Sequence, residues 1–165
     1  MQQPQALANA FSISQMVYLG NIEGVSHDDS LFQPEKAGNC INWIAGHILA
    51  ARGGLLQLLG EQPFLSDEEK VPYGRGSAGV KPGDTCCSLG RINEGMQSTG
   101  PIIVAKLTET PVEKYSEKLD PSAFPVPVEH PSVGTLISIL LFHEGYHNGQ
   151  IGLIRRALGK LPAIP

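Results

Sequence analysis

The amino-acid sequence predicts an all-α protein that folds as a four-helix bundle, with residues 1–165 forming a single domain. Four long segments carry apolar residues at three- and four-residue steps, the period of a helix buried along one side. No segment shows the alternation of apolar and polar residues that is typical of a strand. A length of 165 residues suits one domain with its own core.

The first two predicted helices span residues 4–22 and 34–59. Pro4 suits a first helical turn, because proline needs no helical hydrogen-bond acceptor there. Gly60 fits the left-handed cap that ends the second helix. Each helix has an apolar stripe, formed in the first by Leu7, Ala10, Phe11, Val17 and Tyr18, and in the second by Ile41, Ile44, Ile48, Leu55 and Leu59.

A long loop is expected over residues 61–84, where glycines and prolines favour turns. A third helix is predicted over residues 85–107, and we expect Pro101 to kink or divide it. The run Thr110-Pro111-Val112-Glu113 has the pattern of a capping box and predicts a shorter helix that starts at Thr110. An extended surface connection then follows, because it contains Pro121, Pro125, Pro127 and Pro131.

The last predicted helix spans residues 132–158. Ser132 suits its N-cap, and Gly159 fits the cap that ends it. Its inward stripe is expected to comprise Leu136, Leu140, His143, His147, Gln150, Ile154 and Leu158.

His143 and His147 predict a metal site, because side chains four residues apart on a helix project from one face and can bind one ion. His47, on the inward side of the second helix, would bring the count to three imidazoles, although a single histidine in such a position is more often a hydrogen-bonded core residue. Three nitrogen ligands leave a coordination position open, which is typical of reactive rather than structural metal sites. The alternative is that these histidines are hydrogen-bonded core residues. His27 and His130 are expected to be exposed in loops.

The run from His143 to His147 also matches the H-E-x-x-H pattern of zinc proteases, in which the glutamate is a general base. We do not expect a protease, because residues 148–165 contain no His, Asp or Glu that could act as the usual downstream ligand. Glu144 is a candidate catalytic group, but its side chain projects roughly 100° around the helix from that of His143, so a role in orienting a ligand is the alternative.

Composition argues against several classes of partner. The formal net charge of −4 gives no general attraction to nucleic acid. No run of eighteen apolar residues predicts a membrane span, and the N-terminal residues lack the pattern of a secretion signal. The three cysteines do not have the spacing of a disulfide framework. We therefore predict a cytoplasmic protein.

Two stretches resemble the DinB/YfiT-like four-helix bundle family, and the resemblance covers nearly the whole chain. NCINWIAGHILAAR, residues 39–52, is similar to the family's second-helix motif, in which an Asn and a Trp precede the first histidine ligand. FHEGYHNGQIGLIRRALG, residues 142–159, is similar to its fourth-helix motif. The resemblance implies an up-down-down-up bundle, a homodimer, and zinc or nickel on His47, His143 and His147.

The resemblance also implies an activity. Some members are metal-dependent transferases that use a low-molecular-weight thiol, and others are similar to hydrolases. We expect a small-molecule substrate, with Tyr73 and Arg75 on a flexible rim of the pocket and Gln150 facing the cavity. The alternative is a non-catalytic module for metal binding or dimerisation, which holds either a structural metal or no metal.

Overall fold

A computed structural model describes residues 3–34 and 38–164. The prediction of an all-α protein is confirmed, since these residues form α-helices and short 3-10 helices but no β-strand. The α-helices are α1 (Gln3–Ile22), α2 (His27–Ser30), α3 (Ile41–Leu58), α4 (Leu89–Glu109) and α5 (Val133–Ala157). None of the helices in the described ranges combines the length and apolarity needed to cross a bilayer.

The four long helices surround the core, and each packs against two of the others. α1 contacts α4 and α5, and α3 contacts the same two helices. Buried apolar side chains form two clusters. The first includes Tyr18, Ile41, Ile44, Ile92, Met96 and Ile151, and the second includes Phe11, Leu55, Leu56, Ile103, Leu107 and Ile137.

The ends of α5 agree with prediction, but its most buried face does not. The Ser132 hydroxyl accepts a hydrogen bond from the Thr135 amide at 3.2 Å, and Gly159 has the positive φ of 76° that the predicted cap requires. The deepest positions are instead Ile137, Glu144, Asn148 and Ile151, one residue beyond most members of the predicted stripe. His143 and His147 are half-buried and lie at the edge of the packed face.

The second long helix begins later than predicted. α3 starts at Ile41 rather than near residue 34, and residues 35–37 of the predicted helix lie outside the described residues. Gly38 has a φ of 117°, which no residue of a right-handed helix adopts. The chain therefore enters the helix through Cys40, which occupies the N-cap position.

α4 begins at Leu89, where the Ser88 hydroxyl accepts a hydrogen bond from the Arg91 amide at 3.1 Å. The helix continues past Pro101, so this proline does not divide it. Pro101 and Gln97 are both exposed. The Gln97 carbonyl has lost its helical donor, because proline at position 101 has no amide hydrogen.

The prediction of a capping box at Thr110 is wrong. The Thr110 hydroxyl donates back to the Lys106 carbonyl at 2.7 Å, and the residue ends α4 instead of starting a helix. A 3-10 helix follows at Val112–Ser116. Beyond it the proline-rich connection is largely exposed, as predicted, but it includes a 3-10 turn at Pro121–Ala123.

Candidate metal centre

The imidazole rings of His47, His143 and His147 converge. α3 supplies His47, and α5 supplies the other two. The ring centroid of His47 lies 4.9 Å from that of His143 and 5.0 Å from that of His147. The centroids of His143 and His147 are 4.4 Å apart. One ring nitrogen from each residue lies within 4.8 Å of the others. A single ion at bonding distances of about 2.0–2.1 Å is compatible with this arrangement after small adjustments of the rings.

Two of the three rings have a hydrogen-bond partner that sets their tautomer. His47 Nδ1 is 2.7 Å from the Tyr73 carbonyl oxygen, and His147 Nδ1 is 2.7 Å from Gln150 Oε1. Both oxygens only accept hydrogen bonds, so each Nδ1 carries the proton. The Nε2 lone pairs of His47 and His147 are therefore available to a metal, as in many histidine-ligated centres.

His143 differs from the other two histidines. Its Nε2 lies 2.9 Å from Nε2 of His47. Because Nε2 of His47 carries a lone pair, Nε2 of His143 is the donor in the metal-free arrangement. To bind a metal, His143 has to hold its proton on Nδ1 instead.

Burial favours the neutral form that metal binding requires. Desolvation, followed by the charges of His147 and His47, lowers the pKa of His143 to about 4. Desolvation also lowers the pKa of His147, although its hydrogen bond with Gln150 opposes this change. A set of three neutral imidazoles suits zinc or nickel.

Aromatic side chains flank the centre. The Trp43 ring stacks on His47, with centroids 4.7 Å apart and an interplanar angle of 12°. Trp43 is buried, whereas Tyr146, which meets the His147 ring edge-on at 5.2 Å, is 57% exposed. The centre therefore has a packed wall beside His47 and a more open side beside Tyr146.

The remaining predicted residues occupy different environments. The Tyr73 side chain is fully buried, so the prediction that it lies on a flexible rim is wrong; its carbonyl is the group that meets His47. Arg75 is exposed, and its guanidinium donates to the Pro125 carbonyl at 3.2 Å. Gln150 lies beside the centre, in contact with His147.

Glu144 lies in the core rather than at the histidines. It is 2% exposed and forms a salt bridge with Arg52, which is also 2% exposed. The Arg52 Nε donates to the Glu144 carboxylate at 3.0 Å, and the Ser14 hydroxyl donates to the same carboxylate at 2.9 Å. Glu144 thus joins α5 to α1 and α3, an arrangement that suits a structural role better than that of a general base.

Sequence reasoning missed the roles of Arg52, Trp43 and the Tyr73 carbonyl. Arg52 had a detectable signal, because it is four residues after Ile48 and three before Leu55 and so shares their buried face. Trp43 lies one helical turn before His47, which is also visible in the sequence. A backbone carbonyl gives no such signal, since every residue has one.

No family model matches the sequence, and none of the curated proteins matches it. The fold is similar to that of a solved structure described as the conserved protein of a locus from Enterococcus faecalis, with a TM-score of 0.72 and 13% sequence identity. The match covers 97% of this chain and 99% of that chain. At this identity, the likeness shows that the two chains share a helical fold.

Proposed function

We propose that this protein binds one divalent transition metal, zinc or nickel, on His47, His143 and His147 and is a metal-dependent enzyme. The observation that carries the proposal is the convergence of three imidazoles from two helices, with ligand nitrogens within 4.8 Å of one another. The hydrogen bonds that Nδ1 of His47 and Nδ1 of His147 donate already leave the opposite ring nitrogens unprotonated.

An incomplete ligand set favours catalysis over a purely structural role. Structural zinc usually has four protein ligands, whereas three leave a position for a reactant. When bound, such a metal lowers the pKa of a coordinated water or thiol and so supplies a nucleophile near neutral pH. The chain's own contribution is to hold the rings in place, with Trp43 shielding one side and the side near Tyr146 left for a small-molecule substrate.

The proposal includes an up-down-down-up bundle of the DinB/YfiT-like type. Contacts of Ser14 with Glu144 and of Asn21 with Asn148 support parallel α1 and α5. Two further contacts support parallel α3 and α4. The Arg52 guanidinium lies 3.4 Å from the Thr99 hydroxyl, and the Asn42 amide, ten residues earlier, donates to the Cys87 carbonyl just before α4.

Within that family type, a transferase that uses a low-molecular-weight thiol is the activity we favour, and hydrolysis is the second candidate. The homodimer of the family type also belongs to the proposal. Exposed apolar side chains on α1 and α5 support it, among them Met16, Phe142 and Leu153, each more than 60% exposed.

Metal content provides the first test. Protein purified without a histidine tag should contain about one zinc or nickel ion per chain, and His147→Ala should lose most of it. His130→Ala is the matched control, because the His130 side chain is 85% exposed and does not belong to the group of three converging histidines. Equal metal content in wild type and His147→Ala would exclude the proposed centre.

Activity provides the second test. We expect metal-loaded protein to conjugate a low-molecular-weight thiol to a model electrophile, and a chelator to abolish the reaction. Ester hydrolysis under the same conditions would instead favour the hydrolase. Metal binding without either activity would favour the non-catalytic alternative, in which the ion joins α3 to α5. Activity that persists after complete metal removal would refute the mechanism.

A further inference from the structure

We propose that the segment of residues 71–77 is a fixed part of the metal centre, and that Tyr73 is a positioning residue for His47. The inference rests on the proposed metal-binding function. It assigns Tyr73 neither a substrate contact nor a metal contact. The role of Tyr73 is to hold its own carbonyl where it orients the His47 ring and fixes the proton on Nδ1.

Tyr73 is anchored at both ends of its side chain. Its ring is fully buried against Gly46 of α3. Its hydroxyl donates to the Asn42 side-chain oxygen at 3.2 Å and accepts from the Cys87 amide at 2.9 Å. The side chain therefore spans from α3 to the segment that precedes α4, and its backbone has little freedom to shift alone.

Trp43 fastens the same segment from the other side. Its indole Nε1 donates to the Pro72 carbonyl at 2.9 Å and to the Ser77 hydroxyl at 2.7 Å. The Ser77 hydroxyl in turn donates to the Pro72 carbonyl at 2.8 Å. Because Trp43 also stacks on His47, one connected set of contacts defines both the plane of the imidazole and the direction of its Nδ1.

Gly46 is the residue that makes this arrangement possible. A Cβ atom at position 46 would lie 2.3 Å from Cδ1 and Cε1 of the Tyr73 ring and 2.7 Å from its Cγ. The hydroxyl contacts prevent the ring from swinging aside, so an added methyl group must push the Tyr73 backbone away from α3. Displacing the carbonyl frees the His47 ring to rotate and to change tautomer.

The test compares two glycines of one helix. Gly46→Ala should weaken zinc binding, measured by competition with a chromophoric chelator, by about 10–100-fold, the usual range for loss of a partner that orients a ligand. Gly54→Ala is the matched control, because no atom lies within 4 Å of a Cβ built there. Its Kd should stay within about twofold of wild type, since exposed helical glycine tolerates alanine. Equal zinc affinity in Gly46→Ala and wild type would overturn the proposal.

A spectroscopic measurement separates positioning from general loss of structure and does not need metal. Two-dimensional proton–nitrogen spectra of the histidine rings report which nitrogen carries the proton, and signals absent from His47→Gln identify residue 47. Wild type should show the Nδ1–H form, and Gly46→Ala a shift towards Nε2–H. A wild-type Nε2–H form would overturn the proposal even if Gly46→Ala failed to fold. Failure of wild type to bind either zinc or nickel would instead refute the proposed function.

Discussion

The buried salt bridge between Arg52 and Glu144 gives the most quantitative prediction. Both side chains are at most 3% exposed, and the Arg52 guanidinium also donates to Gln15 at 2.7 Å and to the Met96 carbonyl at 3.0 Å. Glu144→Gln keeps the shape of the side chain and removes its charge. The substitution leaves a buried guanidinium without a counter-ion, which is the costly way to disrupt such a pair.

We expect Glu144→Gln to lower the free energy of unfolding by about 3 kcal/mol, the lower end of the range for breaking a buried pair, because the amide oxygen still accepts a hydrogen bond. For a chain of this length the loss corresponds to a decrease in Tm of roughly 6–12 °C. Urea unfolding of the metal-free protein measures the effect. Thermal unfolding provides an independent check.

Glu94→Gln is the matched control, because its partner Arg91 is on the surface and the Glu94 carboxylate, 3.3 Å away, is 65% exposed. Exposed pairs contribute at most about 1 kcal/mol. The double variant Arg52→Met/Glu144→Gln should lose less free energy of unfolding than the sum of the losses in the two single variants, because it no longer contains a buried unpaired charge. If Glu144→Gln destabilises the protein no more than Glu94→Gln does, the structural role assigned to this pair is wrong.

Three further predictions concern the histidines. Zinc at a free concentration 100 times its Kd should stabilise the native protein by about 2.7 kcal/mol, so Tm should rise and a chelator should reverse the rise; an unchanged Tm would contradict specific binding to the folded state. The metal-free protein should lose stability as the pH falls from 6.5 towards about 4, because burial holds the pKa of His143 near the lower value while the unfolded chain takes up its proton near the higher one; His143→Gln should flatten this dependence, and an unchanged pH profile in that variant would contradict the assignment. Gln150→Ala should weaken zinc binding by about 10–100-fold through loss of the Nδ1 acceptor of His147, and Gln150→Glu should retain tight binding; equal affinity in Gln150→Ala and wild type would show that Gln150 does not orient the ligand.

The elements with strong local signals were predictable from the sequence. α5 lies within one residue of its predicted ends, because Ser132 and Gly159 impose those ends locally. The start of α3 was not predictable in this way, because an apolar stripe does not reveal the positive φ of Gly38. Thr110 matched a capping motif, yet its hydroxyl bonds to the preceding turn, a competing interaction open to any threonine near a helix end.

The candidate site also combines features that the sequence predicts with features that it does not. Spacing alone brought His143 and His147 together, whereas the place of His47 depended on resemblance to a known motif. The deepest face of α5 was placed one residue too early, because a buried glutamate and a buried asparagine interrupt its apolar pattern. Such polar positions are invisible to hydrophobic periodicity until their partners, here Arg52 and Ser14 on other helices, are known.

Because α5 uses two different faces, metal binding and stability should be separable on one helix. His143, His147 and Gln150 lie at its half-buried edge, whereas Glu144 and Asn148 point into the core. We therefore expect Glu144→Gln to lower the stability of the metal-free protein while leaving the zinc Kd of the folded fraction within about threefold of wild type, a change of less than about 1 kcal/mol. Gln150→Ala should instead weaken zinc binding while leaving the stability of the metal-free protein nearly unchanged. If both variants changed both quantities in proportion, the histidines and the salt bridge would form one energetic unit, and the separation of metal binding from stability on α5 would be wrong.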